Sequence, residues 1–173
     1  MGEISGKRVA VVLENDFEDS ELYVPYDRLK KEGAGLTVVG LEKGKTLKGK
    51  TEGYKATVDK SFAEVKPEDF DALLIPGGYS PDKLRSHQEA VDFVKGFEGR
   101  PVFAICHGPQ LLISAEMVKG RTITSWPSVA IDLKNAGARW VDREVVVDGE
   151  LITSRKPADL EAFVGAIVKA LGK

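Results

Sequence analysis

The sequence is poor in the side chains that bind metal ions and form disulfide bonds. Among its 173 residues there is one cysteine, Cys106, and there are two histidines, His87 and His107. A lone cysteine has no partner for an intramolecular disulfide bond, and together with two histidines it makes no convincing zinc site. We therefore expect a protein that needs neither a metal ion nor another cofactor, and that lives in a reducing compartment, the cytoplasm.

Strong charge and long apolar segments are also lacking. The 25 basic and 27 acidic residues give a formal net charge of −2, and no basic tract occurs. This balance gives no electrostatic reason to expect nucleic acid as a partner. The longest apolar runs have the length of strands, and the N-terminus lacks the apolar segment of a signal peptide, so we expect no membrane association. The glycine-rich nucleotide motifs G-x-G-x-x-G and the P-loop do not occur either.

What the sequence does contain is an alternation of buried strands and helices. Near-continuous apolar runs cover residues 7–13, 36–41 and 71–75, as is typical of strands that are buried on both faces. Helical patterns separate these runs, and Pro157 marks the first position of the last predicted helix. The pattern predicts an α/β fold with a mainly parallel sheet. The length suits a single domain over residues 1–173.

Candidate functional residues follow three of the predicted strands. Glu18 lies after the first strand, Gly77-Gly78 follow Ile75, and Cys106 follows Ile105. Function in parallel α/β sheets collects at the carboxyl ends of strands, which lie at one edge of the sheet. This convergence favours a site over an unrelated set of turns.

The dipeptide Cys106-His107 reads as a sharp turn between a strand and a helix. A nucleophile at such a turn projects from the sheet, and a helix N-terminus lowers the pKa of a thiol. His107 could act as the base, and its backbone N–H together with Gly77-Gly78 could form an oxyanion hole. Each residue also has a plain structural interpretation: Cys106 as a small buried side chain, Gly77-Gly78 as a simple turn, and Glu18 as one of several acids that favour a helix start.

Three further features can be read in two ways. Asp82 can cap a short helix or take part in the site. Arg155 and Asp159 can form a structural ion pair or border the cleft, and we favour the ion pair. Trp126 is either a pocket wall or part of the core.

Taken together, these residues resemble the PfpI-type intracellular cysteine peptidases of the class I glutamine-amidotransferase-like superfamily. The resemblance covers nearly the whole chain in order. It runs through segments 17–22, 25–26, 28–29, 70–78, 104–110, 135–137, 140–142, 145–149 and 154–160.

The resemblance implies a flavodoxin-like three-layer sandwich with Cys106 as nucleophile and His107 as its partner. It implies that Glu18 contacts the thiol and that Gly77-Gly78 contribute to the oxyanion hole. It further implies a homo-oligomer, from dimer to hexamer, whose site lies near a subunit interface and in which an acid from the neighbour orients the histidine. That acid falls on Asp82, where the peptidase pattern has the longer glutamate.

On this basis we predict a cytoplasmic cysteine hydrolase that attacks the carbonyl group of a peptide or of a small substrate. Two alternatives share the same motif. One is a glyoxalase or protein deglycase that acts on methylglyoxal or glycated proteins. The other is a redox-sensing stress protein or chaperone, in which Cys106 is oxidised instead of turning over.

Overall fold

The structure is a computed structural model that describes residues 2–173. Its strands are β1 (Arg8–Val12), β2 (Gly35–Gly40), β3 (Thr46–Lys48), β4 (Lys55–Thr57), β5 (Lys60–Ser61), β6 (Ala72–Ile75), β7 (Val102–Ile105), β8 (Thr122–Ile123), β9 (Arg139–Trp140), β10 (Val146–Asp148) and β11 (Leu151–Ser154). Its α-helices are α1 (Asp19–Lys31), α2 (Ser80–Leu84), α3 (Gln88–Lys95), α4 (Pro109–Ser114), α5 (Ala130–Asn135) and α6 (Leu160–Leu171). No helix in this range is both long and apolar enough to cross a membrane.

The central sheet of the described chain has seven strands in the order β10-β11-β7-β6-β1-β2-β5. All neighbours run parallel except β10 and β11, which pair antiparallel. The predicted α/β fold with a mainly parallel sheet is therefore confirmed. Two smaller pairs, β3 with β4 and β8 with β9, lie outside this sheet.

Helices cover both faces of the sheet. On β1, Val9 and Val11 pack into the apolar cluster that includes residues of α1 and α6. Ala10 and Val12 point the other way, into the cluster built with α3, α4 and α5. Since successive strand residues face opposite sides, a strand between two helical layers must be apolar at every position. The flavodoxin-like three-layer arrangement follows from this pattern.

The order of the strands brings the candidate residues together. β1, β6 and β7 are adjacent and parallel, so their carboxyl ends lie at one edge of the sheet. The chain turns from β1 to β2 on one side, while β6 lies on the other. This reversal leaves a crevice at the strand ends, where ligands bind in folds of this kind.

Candidate active site

Cys106 occupies a sharp, strained turn between β7 and α4. Its φ is 65°, in the left-handed region that side chains other than glycine rarely adopt. The turn is held from both sides, because the Cys106 N–H donates to Ser154 O at 3.0 Å and its carbonyl accepts from Trp126 N–H at 2.9 Å. A side chain at Gly108 would lie 2.7 Å from Ile75 O, so only glycine fits where the helix begins. The geometry is that of a nucleophile elbow.

Donors and a histidine surround the Cys106 sulfur. The backbone N–H groups of Gly78 and His107 donate to it, and His107 Nδ1 lies 3.3 Å from Sγ. Burial and the charge of Glu21 raise the pKa of the thiol, while the two N–H groups act in the opposite direction. Any anion that forms at this sulfur, or on an oxygen bonded next to it, meets these donors.

The carboxyl group beside the sulfur belongs to Glu21, which is fully buried. Its Oε1 accepts a 2.9 Å hydrogen bond from Gly77 N–H, and the carboxyl group lies beside the Cys106 thiol, so that each group affects the pKa of the other. Burial, assisted by the charge of Glu18, raises the pKa of Glu21 to about 8. Glu21 is therefore largely protonated at neutral pH, and it can donate a proton toward the sulfur.

The resemblance implied that Glu18 contacts the thiol, whereas in the structure Glu21 is the acid beside the thiol and Glu18 lines the same cleft. Glu18 Oε2 instead pairs with Lys50 Nζ at 3.0 Å and accepts from Thr51 Oγ1 at 2.9 Å. Glu18 lies at the N-cap of α1, whereas Glu21 lies one turn later on the face that packs against the sheet. Sequence spacing does not distinguish the two acids, because both precede the buried residues Pro25 and Leu29 at helical intervals.

Gly77 and Gly78 have different tasks. The N–H of Gly77, which we expected to be an oxyanion donor, donates to Glu21 Oε1 at 2.9 Å in this structure. Gly78 has φ 77°, and a side chain there would lie 2.4 Å from Glu18 N. The close approach of this loop to the start of α1 therefore requires glycine, and the N–H groups of Gly78 and His107 are the two that act to lower the pKa of the Cys106 thiol.

Asp82 lies on α2 with its side chain exposed. Within residues 2–173 no hydrogen bond joins it to His107. Burial and the positive charge of Lys50 lower the pKa of His107, and the charge of Asp82 opposes them. The imidazole is thus neutral at neutral pH and can accept a proton.

Lys50 and Trp126 complete a cleft of about 210 Å³. The Trp126 ring stacks near His107, with centroids 6.1 Å apart and planes at 23°, so it is a wall of the pocket. The residues lining the cleft are Glu18, Glu21, Lys50, Gly78, Cys106, His107, Trp126 and Pro157. Lys50 is absent from the sequence prediction, since it is far from the three strand ends in the chain.

The remaining predicted pair is structural. The Arg155 guanidinium donates two hydrogen bonds of 2.9 and 3.0 Å to Asp159 and one of 2.8 Å to Asp142. The favoured ion pair is confirmed. It fixes the segment that supplies Ser154 O to the elbow. Across residues 2–173 no group of three or more His, Cys, Asp or Glu side chains is placed to hold a metal ion.

Known proteins match this chain along nearly all of its length. It is 50% identical over 169 residues to protein/nucleic acid deglycase 2 of Escherichia coli, covering 96% of this chain and 98% of the relative. It is 49% identical over 159 residues to deglycase PfpI of Pyrococcus furiosus, covering 91% and 95%. The crystal structure of Drosophila melanogaster DJ-1beta superposes with a TM-score of 0.88 at 31% identity, covering 100% of this chain and 92% of that one. The model of the DJ-1/PfpI family matches residues 7–170, and the chain belongs to this family.

Proposed function

We propose that this protein is a cysteine-dependent deglycase, which removes the group that methylglyoxal leaves on amines and thiols, and which also converts the free dicarbonyl. The observation that carries the proposal is the fully buried carboxyl group of Glu21 in the same cleft as His107 and Cys106, which occupies the strained turn. Two similar proteins, from E. coli and P. furiosus, are named deglycases. The fitting reaction class is thiol addition to an aldehyde carbon, followed by proton transfers at that carbon.

The chemistry can be written with all atoms accounted for. The sulfur of Cys106 bonds to the aldehyde carbon, the amine of a modified substrate leaves with a proton, and a hemithioacetal remains. A proton then leaves that carbon and another is returned to the neighbouring carbonyl carbon, which converts the hemithioacetal into a thioester of lactate. Water cleaves the thioester to lactate and the free thiol. The dicarbonyl is oxidised at one carbon and reduced at the other, so no external oxidant or cofactor is needed.

The side chains present suit these steps. His107 Nδ1, neutral and 3.3 Å from Sγ, can take the thiol proton. Glu21, with a pKa of about 8, can both give and accept a proton near neutral pH, as a proton shuttle must. The N–H groups of Gly78 and His107 face the place where negative oxygen develops.

One observation of the structure favours this function over the predicted peptidase. The cleft of about 210 Å³ suits a small carbonyl group better than an extended peptide, since pockets for larger ligands begin near ~300 Å³. Peptidase activity stays a prediction, as do the homo-oligomer and the contribution of a neighbour's Asp82 to the site.

The test is a product assay with purified protein. Wild type is expected to release lactate from methylglyoxal and from methylglyoxal-treated N-acetylarginine, and Cys106→Ser is expected to release none above the uncatalysed rate. A fluorogenic peptide assayed in parallel should be cleaved far more slowly. Peptide cleavage without lactate release would replace the proposal with the peptidase.

A further inference from the structure

The first turn of α1 carries a third carboxylate whose task differs from those of Glu18 and Glu21. Asp19 is fully buried and accepts backbone hydrogen bonds from Thr51 at 2.9 Å, Glu52 at 3.1 Å and Tyr54 at 2.9 Å. Although burial alone acts to raise it, these N–H groups lower the pKa of Asp19. Asp19 is thus a charged anchor for residues 49–54, which we call the clamp loop.

The clamp loop has little freedom to move away from this anchor. A side chain at Gly49 would lie 2.1 Å from Asp19 Oδ2, so only glycine allows the approach. Lys50 N–H donates to Phe17 O at 2.9 Å, and Gly49 N–H donates to Tyr54 O at 2.8 Å. The backbone position of Lys50 is fixed by these bonds.

The side chain of Lys50 is held over the cleft as well. Its ammonium group pairs with Glu18 at 3.0 Å and lies 5.8 Å from the centre of the Tyr79 ring. It lines the same cleft as Cys106 and His107. Asp19 and Glu18 together thus hold one cation beside the two reacting side chains.

The other charged or titratable groups that face Cys106 and His107 come from two elements. Glu18 and Glu21 belong to the start of α1, and Asp82 on α2 acts on His107 from a distance. Glu21 is largely neutral, and Glu18 and Lys50 form an ion pair that lines the cleft. Lys50 is the positive member of this pair, and its charge acts on both His107 and Cys106. It can therefore favour a negative sulfur and disfavour a second cation on the imidazole.

We propose that Lys50 sets the charge state of the Cys106–His107 pair, stabilising the ionised thiol beside a neutral imidazole, and that Asp19 is the positioning residue that holds Lys50 there through the clamp loop. The consequence for turnover rests on the proposed deglycase function. The charges themselves are a property of the free protein, so they can be tested without any substrate.

The direct test compares Lys50→Met and Lys50→Arg with Lys55→Met. Lys55 belongs to the adjoining hairpin but lines a different cavity. Cys106 is the only thiol, so its alkylation by iodoacetamide at pH 7 reports its thiolate content without interference. Lys50→Met should alkylate about tenfold more slowly, as one unit of thiol pKa would produce, whereas Lys50→Arg and Lys55→Met should match wild type.

The second readout is the NMR titration of the two imidazoles. In Lys50→Met the His107 midpoint should rise, and that of exposed His87 should stay in place as the internal reference. Unchanged alkylation together with an unchanged His107 midpoint would overturn the assignment. Wild type that releases no lactate, with the Lys50 effect intact, would overturn the deglycase function and leave the charge-setting role standing.

Asp19→Asn tests the positioning role. The amide has the shape of the carboxylate, but it lacks the charge and one of the two acceptors that the three N–H groups share. Its alkylation rate should fall toward that of Lys50→Met, and the double variant should show no additional loss. Additive losses would contradict action through Lys50. If Asp19→Asn does not fold, Gly49→Ala, which crowds the same contact, gives the corresponding comparison.

Discussion

Glu21 and Cys106 form a buried pair in which a carboxyl group, rather than a carboxylate, lies against the sulfur. Oε1 is fixed by Gly77 N–H. Among the described residues, Oε2 has no hydrogen-bond partner. Burial favours the protonated form of Glu21, and this proton can be shared with the sulfur or with a bound substrate.

Replacing Glu21 should therefore be far more damaging than replacing Glu18. Gln at position 21 keeps an acceptor for Gly77 N–H but cannot shuttle a proton. Glu21→Gln should lower kcat/KM for lactate release by about 100-fold, the usual contribution of a general acid–base. Glu18→Gln, the matched control one turn earlier, should cost less than about tenfold. Equal losses would contradict the division of tasks between the two acids.

The raised pKa of Glu21 also predicts how stability depends on pH. The unfolded chain has the ordinary value of 4.5, and the folded protein has about 8. In this interval the folded state holds the extra proton, so the stabilising contribution is complete below 4.5 and is lost as the pH rises through 8. The free energy of unfolding of wild type should fall between pH 5 and pH 8, relative to Glu21→Gln, by on the order of 4 kcal/mol.

This difference is measured by urea unfolding of both proteins at several pH values. Groups that titrate elsewhere, such as Asp71 with its pKa lowered by Arg8, contribute equally to both proteins and cancel. A constant difference across the interval would mean that Glu21 is ionised in the folded state.

Gly78 should be intolerant of any side chain. Gly78→Ala places a Cβ 2.4 Å from Glu18 N in a left-handed backbone conformation. Gly44, at φ 86°, has open space around its Cβ and is the matched control. Gly44→Ala should cost about 1 kcal/mol of stability from conformation alone, and Gly78→Ala at least about 2 kcal/mol. Chemical denaturation measures both, and equal costs would show that the loops can separate without penalty.

Asp82 tests the proposed subunit interface. If the Asp82 of a neighbouring subunit orients His107, Asp82→Ala should lower lactate release by about tenfold, without changing the mass measured by light scattering. Asp82→Glu, which restores the longer acid of the peptidase pattern, should raise any activity on a peptide. A monomeric wild type that is insensitive to both changes would remove Asp82 from the site.

The sequence predicts well whatever depends on local pattern. The apolar runs around Val11 and Leu74 identify the buried strands, and the strand–turn–helix pattern identifies Cys106, because burial on both faces and a sharp turn leave clear local signatures. The sequence does not separate Glu18 from Glu21, because both occur in one acidic helix start, where the side that faces the sheet decides the contact. Lys50 has no local signal, since long-range backbone bonds to Asp19 and Phe17 bring it to the cleft.

The order of the strands beneath the site has a consequence for its dynamics. Gly78 and Cys106 follow β6 and β7, and Glu21 lies on the helix that follows β1. These three strands have paired strands on both sides, whereas β10 and β5 form the edges. Edge strands and loops open at a lower free energy than central strands, and hydrogen exchange reports these openings. We therefore expect the slowest-exchanging amides directly beneath the Cys106 sulfur. When the edge strands fray on heating, the turn at Cys106 should stay intact until the whole domain unfolds.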